Sequence, residues 1–244
     1  MTTAEQVRTA AKPARSRRVL RFFSSALIVV GVLLLAWTFV VWRWNDPFTS
    51  LYTRWQQHKL ADQYARLVSH YHAHPAPSGA TLAEQERAIG LDARRFRLHA
   101  TQGEAIGRIV VPRLGLHMVL VNGTDHDSLT KGPGRDLRTY MPGQGELVYI
   151  AGHRTTYLAP FAHIEKLRPG DPITLQMPYA TFRYMVTGHE IVDAHALWVL
   201  KTHHREVVAL QACHPRFFAT HRYIVWAKPV RVTPRGGRTY TPSA

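Results

Sequence analysis

Leu210-Gln211-Ala212-Cys213-His214-Pro215-Arg216-Phe217 carries the only cysteine of the chain, directly after the apolar run Val207-Val208-Ala209-Leu210. That run is short, β-branched and aliphatic, so it reads as a buried strand, and Pro215, with no N–H to give a ladder, stops regular pairing. Cys213 is therefore expected just past the strand's end, where a thiol is accessible. The ordinary alternative is a buried, inert free cysteine. Sixty residues earlier, Tyr149-Ile150-Ala151-Gly152-His153-Arg154 is a second strand ending in a turn, with Gly152 allowing the bend and His153 exposed beyond it. A third strand, Tyr223-Ile224-Val225-Trp226, opens after Arg222. A thiol must lose its proton to attack, and a neighbouring imidazolium both favours the thiolate and can protonate a leaving group. Arginine stays charged, and its fork of donors suits a carbonyl oxygen that becomes an oxyanion. If these strands are neighbours, the three groups can converge at one end; period-two counting permits this without requiring it.

Working outward from these strands, the texture from Ile106 onward is one of short β-rich runs separated by Gly and Pro: 106–111, 116–121, 146–151, 172–177, 180–193, 205–212 and 222–232. Seven strand candidates with no long intervening helix predict an all-β barrel or sandwich and argue against a doubly wound parallel sheet. Before them, Leu51, Trp55, Leu60, Tyr64, Leu67 and Tyr71 recur at helical spacing. After the breaker cluster His74-Pro75-Ala76-Pro77-Ser78-Gly79, Thr81 followed by Glu84 is a capping-box opening for a second short helix. Residues 43–103 read as a partly helical juxtamembrane stalk. The polar, Gly-containing tail 233–244 is expected to fray.

The 244 residues carry 31 Lys+Arg and 16 Asp+Glu, a formal charge of +15, and 45% of them are hydrophobic. A core can be built, so a wholly disordered chain is excluded; one cysteine excludes an intrachain disulfide and any zinc site of clustered thiolates. The charge divides about Phe22–Trp42, 21 residues without a charged side chain. As a helix this segment reaches roughly 31 Å, matching a hydrocarbon core of about 30 Å. Trp37, Trp42 and Trp44 crowd its far end like an interfacial belt. Six Lys/Arg precede the span and only Arg43, Arg54 and Lys59 follow closely, so the basic N-terminus 1–21 is expected to be cytoplasmic and the remainder extracellular. The flank Val41-Trp42-Arg43-Trp44 has no small-x-small cleavage site, which favours a retained anchor in the plasma membrane over a signal peptide. An outward-facing domain turns its surplus of basic residues toward anionic lipid or wall polymer and away from nucleic acid.

Fifteen histidines invite a metal hypothesis. His70, His72 and His74 are spaced by two on a helix-like segment, which scatters them, and no HExxH occurs. His189, His203 and His204 read as surface or loop residues. No cofactor or metal is expected.

At the quoted residues the sequence resembles the sortases, membrane-anchored cysteine transpeptidases of Gram-positive bacteria, and is most similar to class E. The resemblance runs over about residues 104–232. It is carried by Gly123-Thr124, Gly132-Pro133-Gly134, Ile150-Ala151-Gly152-His153-Arg154-Thr155-Thr156-Tyr157 with Ala159-Pro160-Phe161, Leu167-Arg168-Pro169-Gly170-Asp171, and the cysteine block leading to Arg222. It implies a closed sortase β-barrel of about eight strands with short helices over 104–232. It also implies Cys213 as nucleophile, His153 as acid/base and Arg222 as oxyanion partner, with Arg154, Thr155, Tyr157, Ala212 and His214 contacting substrate. The implied reaction cleaves an LAXTG- or LPXTG-like signal between Thr and Gly in secreted proteins and passes the acyl group to an amine of a peptidoglycan precursor such as lipid II. Some sortases bind calcium; here Asp125, Asp127 and Glu190 stand isolated among basic residues. Two blocks depart from the family. Its Thr-Leu-x-Thr-Cys reads Ala209-Leu210-Gln211-Ala212-Cys213, and the class E continuation His-Tyr-Pro after Gly-Pro-Gly reads Arg135-Asp136-Leu137. An L,D-transpeptidase would show Ser-x-Gly-Cys, which is missing. A tethered wall-binding module with weak or no turnover is the alternative from another class.

Overall fold

A computed structural model describes residues 14–44, 47–202 and 204–243, and it divides into two compact units that meet in sequence at Trp44 and Asn45. Residues 1–13, Asn45, Asp46, His203 and Ala244 lie outside the described residues, as do the side chains of 14–18 and 41–48, among them Trp42, Arg43 and Trp44.

The first unit is one helix, α1 (Ala14–Trp44), apolar over Val19–Val40 and with none of that stretch buried against protein. Twenty-two residues rise about 33 Å as a helix, enough to cross a bilayer by length and composition.

The second unit is a closed eight-stranded barrel with two long helices packed on it. The strands are β1 (Ala105–Val111), β2 (Leu116–Asn122), β3 (Gly134–Arg135), β4 (Leu147–Ala151), β5 (Pro172–Gln176), β6 (Ala180–Asp193), β7 (Val207–His214) and β8 (His221–Pro234). They close in the order β1-β2-β3-β4-β7-β8-β6-β5. The β2–β3 and β4–β7 pairs are parallel and the others antiparallel. All seven strand runs read from the sequence are present; only the two-residue β3 escapes, because it is too short to show a period.

Alternation along β4, β7 and β8 separates two apolar faces. Val148, Ile150, Val208, Leu210, Ala212, Tyr223 and Val225 fill the barrel interior with Ile109, Leu120, Phe161, Phe182 and Tyr184. Leu147, Tyr149, Ala209 and Ile224 form a second cluster on the outer face, covered by Val192 and by Val199 from a 3-10 turn, Leu197–Leu200.

The segment read as a stalk forms α2 (Pro47–His70) and α3 (Leu82–His99), which belong to the barrel's own hydrophobic unit. Thr81 caps α3 in a reciprocal box with Glu84, as its spacing predicts. Ile89, Ala93 and Phe96 of α3 enter the main core, where Phe96 meets Tyr71 and Tyr179 at ring-centroid distances of 5.8 Å each. Leu60 and Tyr64 of α2 pack on Ala105, Val119 and Val121. The tail also differs from expectation, since Tyr240 bridges to Val232 and Ser243 donates to Glu86. Polar anchors that hydropathy does not register hold both the helices and the tail.

Candidate active site

Cys213 is the penultimate residue of β7 rather than a residue beyond it, and its Cα partner across the antiparallel ladder is Arg222 near the start of β8. The apolar run ends at Leu210, but backbone pairing continues to His214 opposite His221. The thiol is free and half-buried. Because Cys213 shares the parity of Ala209, and Arg222 that of Ile224, both belong to the outer face and extend the line of the second cluster.

His153 comes from the parallel neighbour. Ala151 of β4 pairs with Gln211 of β7, and the Gly152 N–H donates to the Gln211 carbonyl at 3.0 Å, so the ladder runs one residue past the strand. Continuing that register brings His153 level with Cys213. Gly152 is required by close approach: a Cβ there would lie 2.7 Å from the Phe161 ring. The His153 ring is half-buried, its Nε2 is sequestered without a hydrogen-bond partner, and the Tyr157 ring lies 5.0 Å away, centroid to centroid. Burial pushes the His153 pKa below the ordinary imidazole value, and the charge of nearby His126 pushes it further down. The ring is therefore held toward its neutral form.

Arg222 Nη1 donates to the carbonyls of Ala219 (2.7 Å) and His221 (2.9 Å), which pins the guanidinium to its own turn. Both Nη1 hydrogens are engaged there. Three donors, on Nε and Nη2, remain for another acceptor.

The expected substrate contacts separate into two groups. Thr155 and Tyr157 are half-buried in the loop that follows His153, where Tyr157 has φ +52° and its N–H donates to the Thr49 hydroxyl of α2. Arg154, Ala212 and His214 are placed otherwise. Ala212 is fully buried among Tyr223 and the other interior residues, so its methyl faces the core. Arg154 is buried too; Nη1 donates to the Cys213 carbonyl (3.2 Å) and to His214 Nδ1 (2.9 Å), and Nη2 donates to Glu165 (2.7 Å). Their place beside the cysteine and histidine in the chain is what suggests substrate contact. Alternation along β7 puts Ala212 and His214 on the side opposite Cys213, and Arg154, beyond the end of β4, bonds the Cys213 carbonyl and His214 there.

Glu165, from a 3-10 turn at Ile164–Lys166, was invisible to sequence reasoning because no motif joins it to Arg154. The Arg135-Asp136 departure is likewise resolved as internal structure. Arg135 is 2% exposed and donates to Asn122 Oδ1 and the Thr139 carbonyl, with burial lowering its pKa to about 10. Asp136 is held by Arg138 Nε and Nη2.

The acidic residues near the site have protein partners. Asp125 caps a short helix, α4 (His126–Lys131), and the Ser128 hydroxyl draws its pKa down to about 2. Glu190 accepts from Trp226 Nε1. Among the described residues no three His, Cys, Asp or Glu side chains gather as a metal site, and His74, one of the three alternating histidines, bonds Asp92 on α3.

Comparison with known proteins places this arrangement. A family model described as Sortase domain matches residues 109–230, half of the chain. Sortase D of Bacillus subtilis is 31% identical over 132 residues, covering 52% of this chain and 65% of its own length. Sortase SrtE1 of Streptomyces coelicolor is 33% identical over 109 residues, 41% of this chain and 31% of its own length. The match thus spans less than two thirds of either relative. Among solved structures, Sortase E1 of Streptomyces coelicolor with a tripeptide in the active site superposes with a TM-score of 0.52 at 27% identity, over 56% of this chain and 95% of that one.

Proposed function

The chain belongs to the sortase family, and on that premise we propose that it is a membrane-anchored cysteine transpeptidase of the class E type. The reading that it cuts a sorting signal of the LAXTG or LPXTG kind between Thr and Gly rests on the quoted motifs and on the tripeptide-bound relative. The acyl group would pass to an amine of a peptidoglycan precursor such as lipid II. Its partners are secreted proteins bearing C-terminal sorting signals. The one apolar helix of spanning length among the described residues supports a one-pass plasma-membrane anchor, and the excess of Lys/Arg before it supports a cytoplasmic N-terminus with the barrel outside.

One observation carries the mechanism: Cys213 and Arg222 are cross-strand partners, and the parallel β4–β7 ladder, which pairs Ala151 with Gln211, ends two residues short of His153 and of Cys213. In the proposed first step the Cys213 thiolate adds to the Thr carbonyl, and the two free nitrogens of Arg222 stabilise the oxygen as it becomes negative. Collapse of the tetrahedral species breaks the Thr–Gly bond, and His153, carrying the proton that Cys213 lost, gives it to the departing glycine amine. A thioester remains. His153, now neutral, takes a proton from the incoming amine as that amine attacks, and the thiolate leaves.

The outer-face cluster continues the line of Cys213 and Arg222 back along the same strands and packs that side of the barrel. The test is cleavage of matched Leu-Ala and Leu-Pro sorting peptides with a wall-type amine present. Accumulation of the amide product with wild type and none with Cys213→Ala supports the reading. Reversible peptide binding with no cleavage by either protein would favour a binding module instead.

A further inference from the structure

Arg154 follows the acid/base residue in sequence yet turns its side chain behind the nucleophile. It is 6% exposed, and the Tyr223 ring lies 5.9 Å beneath its guanidinium. A buried guanidinium that bonds a backbone carbonyl, a ring nitrogen and a carboxylate at once links three elements: the loop after β4, the last turn of β7, and the 3-10 turn carrying Glu165. Arg216 Nη2 returns from beyond β7 to the Arg154 carbonyl, closing the loop of contacts.

We propose that Arg154, neutralised by Glu165, is a positioning residue of the transfer reaction: it clamps the Cys213 carbonyl and the His214 ring so that the thiol end of β7 stays level with His153. The proposal rests on Cys213 being the nucleophile and assigns Arg154 and Glu165 no contact with substrate. Two physical consequences separate a clamp from ordinary buried structure. The first is geometric. Only a planar fork can serve the carbonyl, the ring nitrogen and the carboxylate together, and lysine offers a point charge in its place. The second is electrostatic. The ion pair keeps the net charge behind the thiol near zero, so removing either partner alone leaves a charge of opposite sign beside Cys213. The other charged and titratable groups around the pair and this strand end are His163, 3.6 Å from Glu165, Tyr223 against Arg154, Arg222 and His221 on β8, His153, His214 and Arg216; none of them is substituted in the comparison.

The experiment measures alkylation of the single thiol by iodoacetamide against pH in the full chain, for wild type, Glu165→Gln, Arg154→Gln and Arg154→Lys. Melting curves confirm that each variant folds. Glu165→Gln leaves an unbalanced guanidinium and is expected to lower the apparent thiol pKa, whereas Arg154→Gln leaves an unbalanced carboxylate and is expected to raise it. Arg154→Lys is expected to keep the thiol pKa near wild type. Its kcat for peptide transfer should fall on the order of tenfold to a hundredfold with KM little changed, the scale of a small misplacement of reacting groups. Should Arg154→Gln fail to fold, Glu165→Gln and Arg154→Lys still decide. Thiol pKa values that do not move or that move together, or an Arg154→Lys enzyme with wild-type kcat, would overturn the clamp. Alkylation needs no sorting peptide, so a failure of the proposed substrate reading leaves this half of the test standing.

Discussion

Cys213 and Arg222 face each other across the β7–β8 ladder, one residue in from where both strands end at His214 and His221. That register fixes the lateral distance between nucleophile and guanidinium without help from any loop, and it places both on the barrel's outer side. The proposed nucleophile and its guanidinium partner are thereby both carried on a paired antiparallel ladder.

Arg222 has donors free on Nε and Nη2 while Nη1 holds its own turn. Arg222→Ala is expected to lower kcat/KM for peptide cleavage by at least about two orders of magnitude, the scale of losing an oxyanion donor. Arg222→Lys keeps the charge and loses the fork, so it should recover only part of that loss. Steady-state kinetics on one sorting peptide measure both, and near-normal turnover in the alanine variant removes Arg222 from the role proposed for it.

His153 titrates below the usual imidazole value because burial disfavours its cation and His126 adds a like charge. In the proposed mechanism the Cys213–His153 pair holds one proton in total when active, so activity is expected to fall on the acid side when the pair takes up a second. A lowered His153 pKa moves that acid limb down in pH. Replacing His126 by Gln removes the like charge and should shift the limb upward, read from kcat/KM against pH. An unmoved limb removes His126 from the account.

Strand positions were legible in the sequence because half-buried and fully buried runs differ in period and because Gly and Pro punctuate them. The segregation of functional side chains between two faces of the same strand ends was not. Adjacency in sequence grouped Arg154, Ala212 and His214 with the substrate, but alternation sends residue 212 to the core while 213 faces outward. The Arg154–Glu165 pair joins positions with no shared motif, and only packing reveals it. The sequence reading ends this strand at residue 212, two short of His214, because side-chain hydrophobicity stops at Leu210 while backbone pairing continues.

The two helices between α1 and the barrel are part of the core. Phe96→Ala would empty a site bordered by Tyr71 and Tyr179, with an expected cost of about 3–5 kcal/mol. Denaturant unfolding of the full chain measures it. A loss below about 1 kcal/mol would show that α3 contributes little to the barrel.

Gly152 lets the chain pass within van der Waals contact of Phe161 before His153. Gly152→Ala should destabilise by about 1–3 kcal/mol through overpacking. It should also depress kcat, because the displaced backbone is the one that carries the acid/base. Unchanged stability and turnover would mean that the close approach is dispensable.

The central claim is that the Cys213 sulfur becomes acylated, and intact-protein mass spectrometry after brief incubation with a sorting peptide tests it most directly. The account predicts a mass increase equal to the peptide's N-terminal acyl portion, sensitive to hydroxylamine and absent in Cys213→Ala. Cleavage of the peptide with no adduct on wild type, or an adduct that persists in Cys213→Ala, would contradict it.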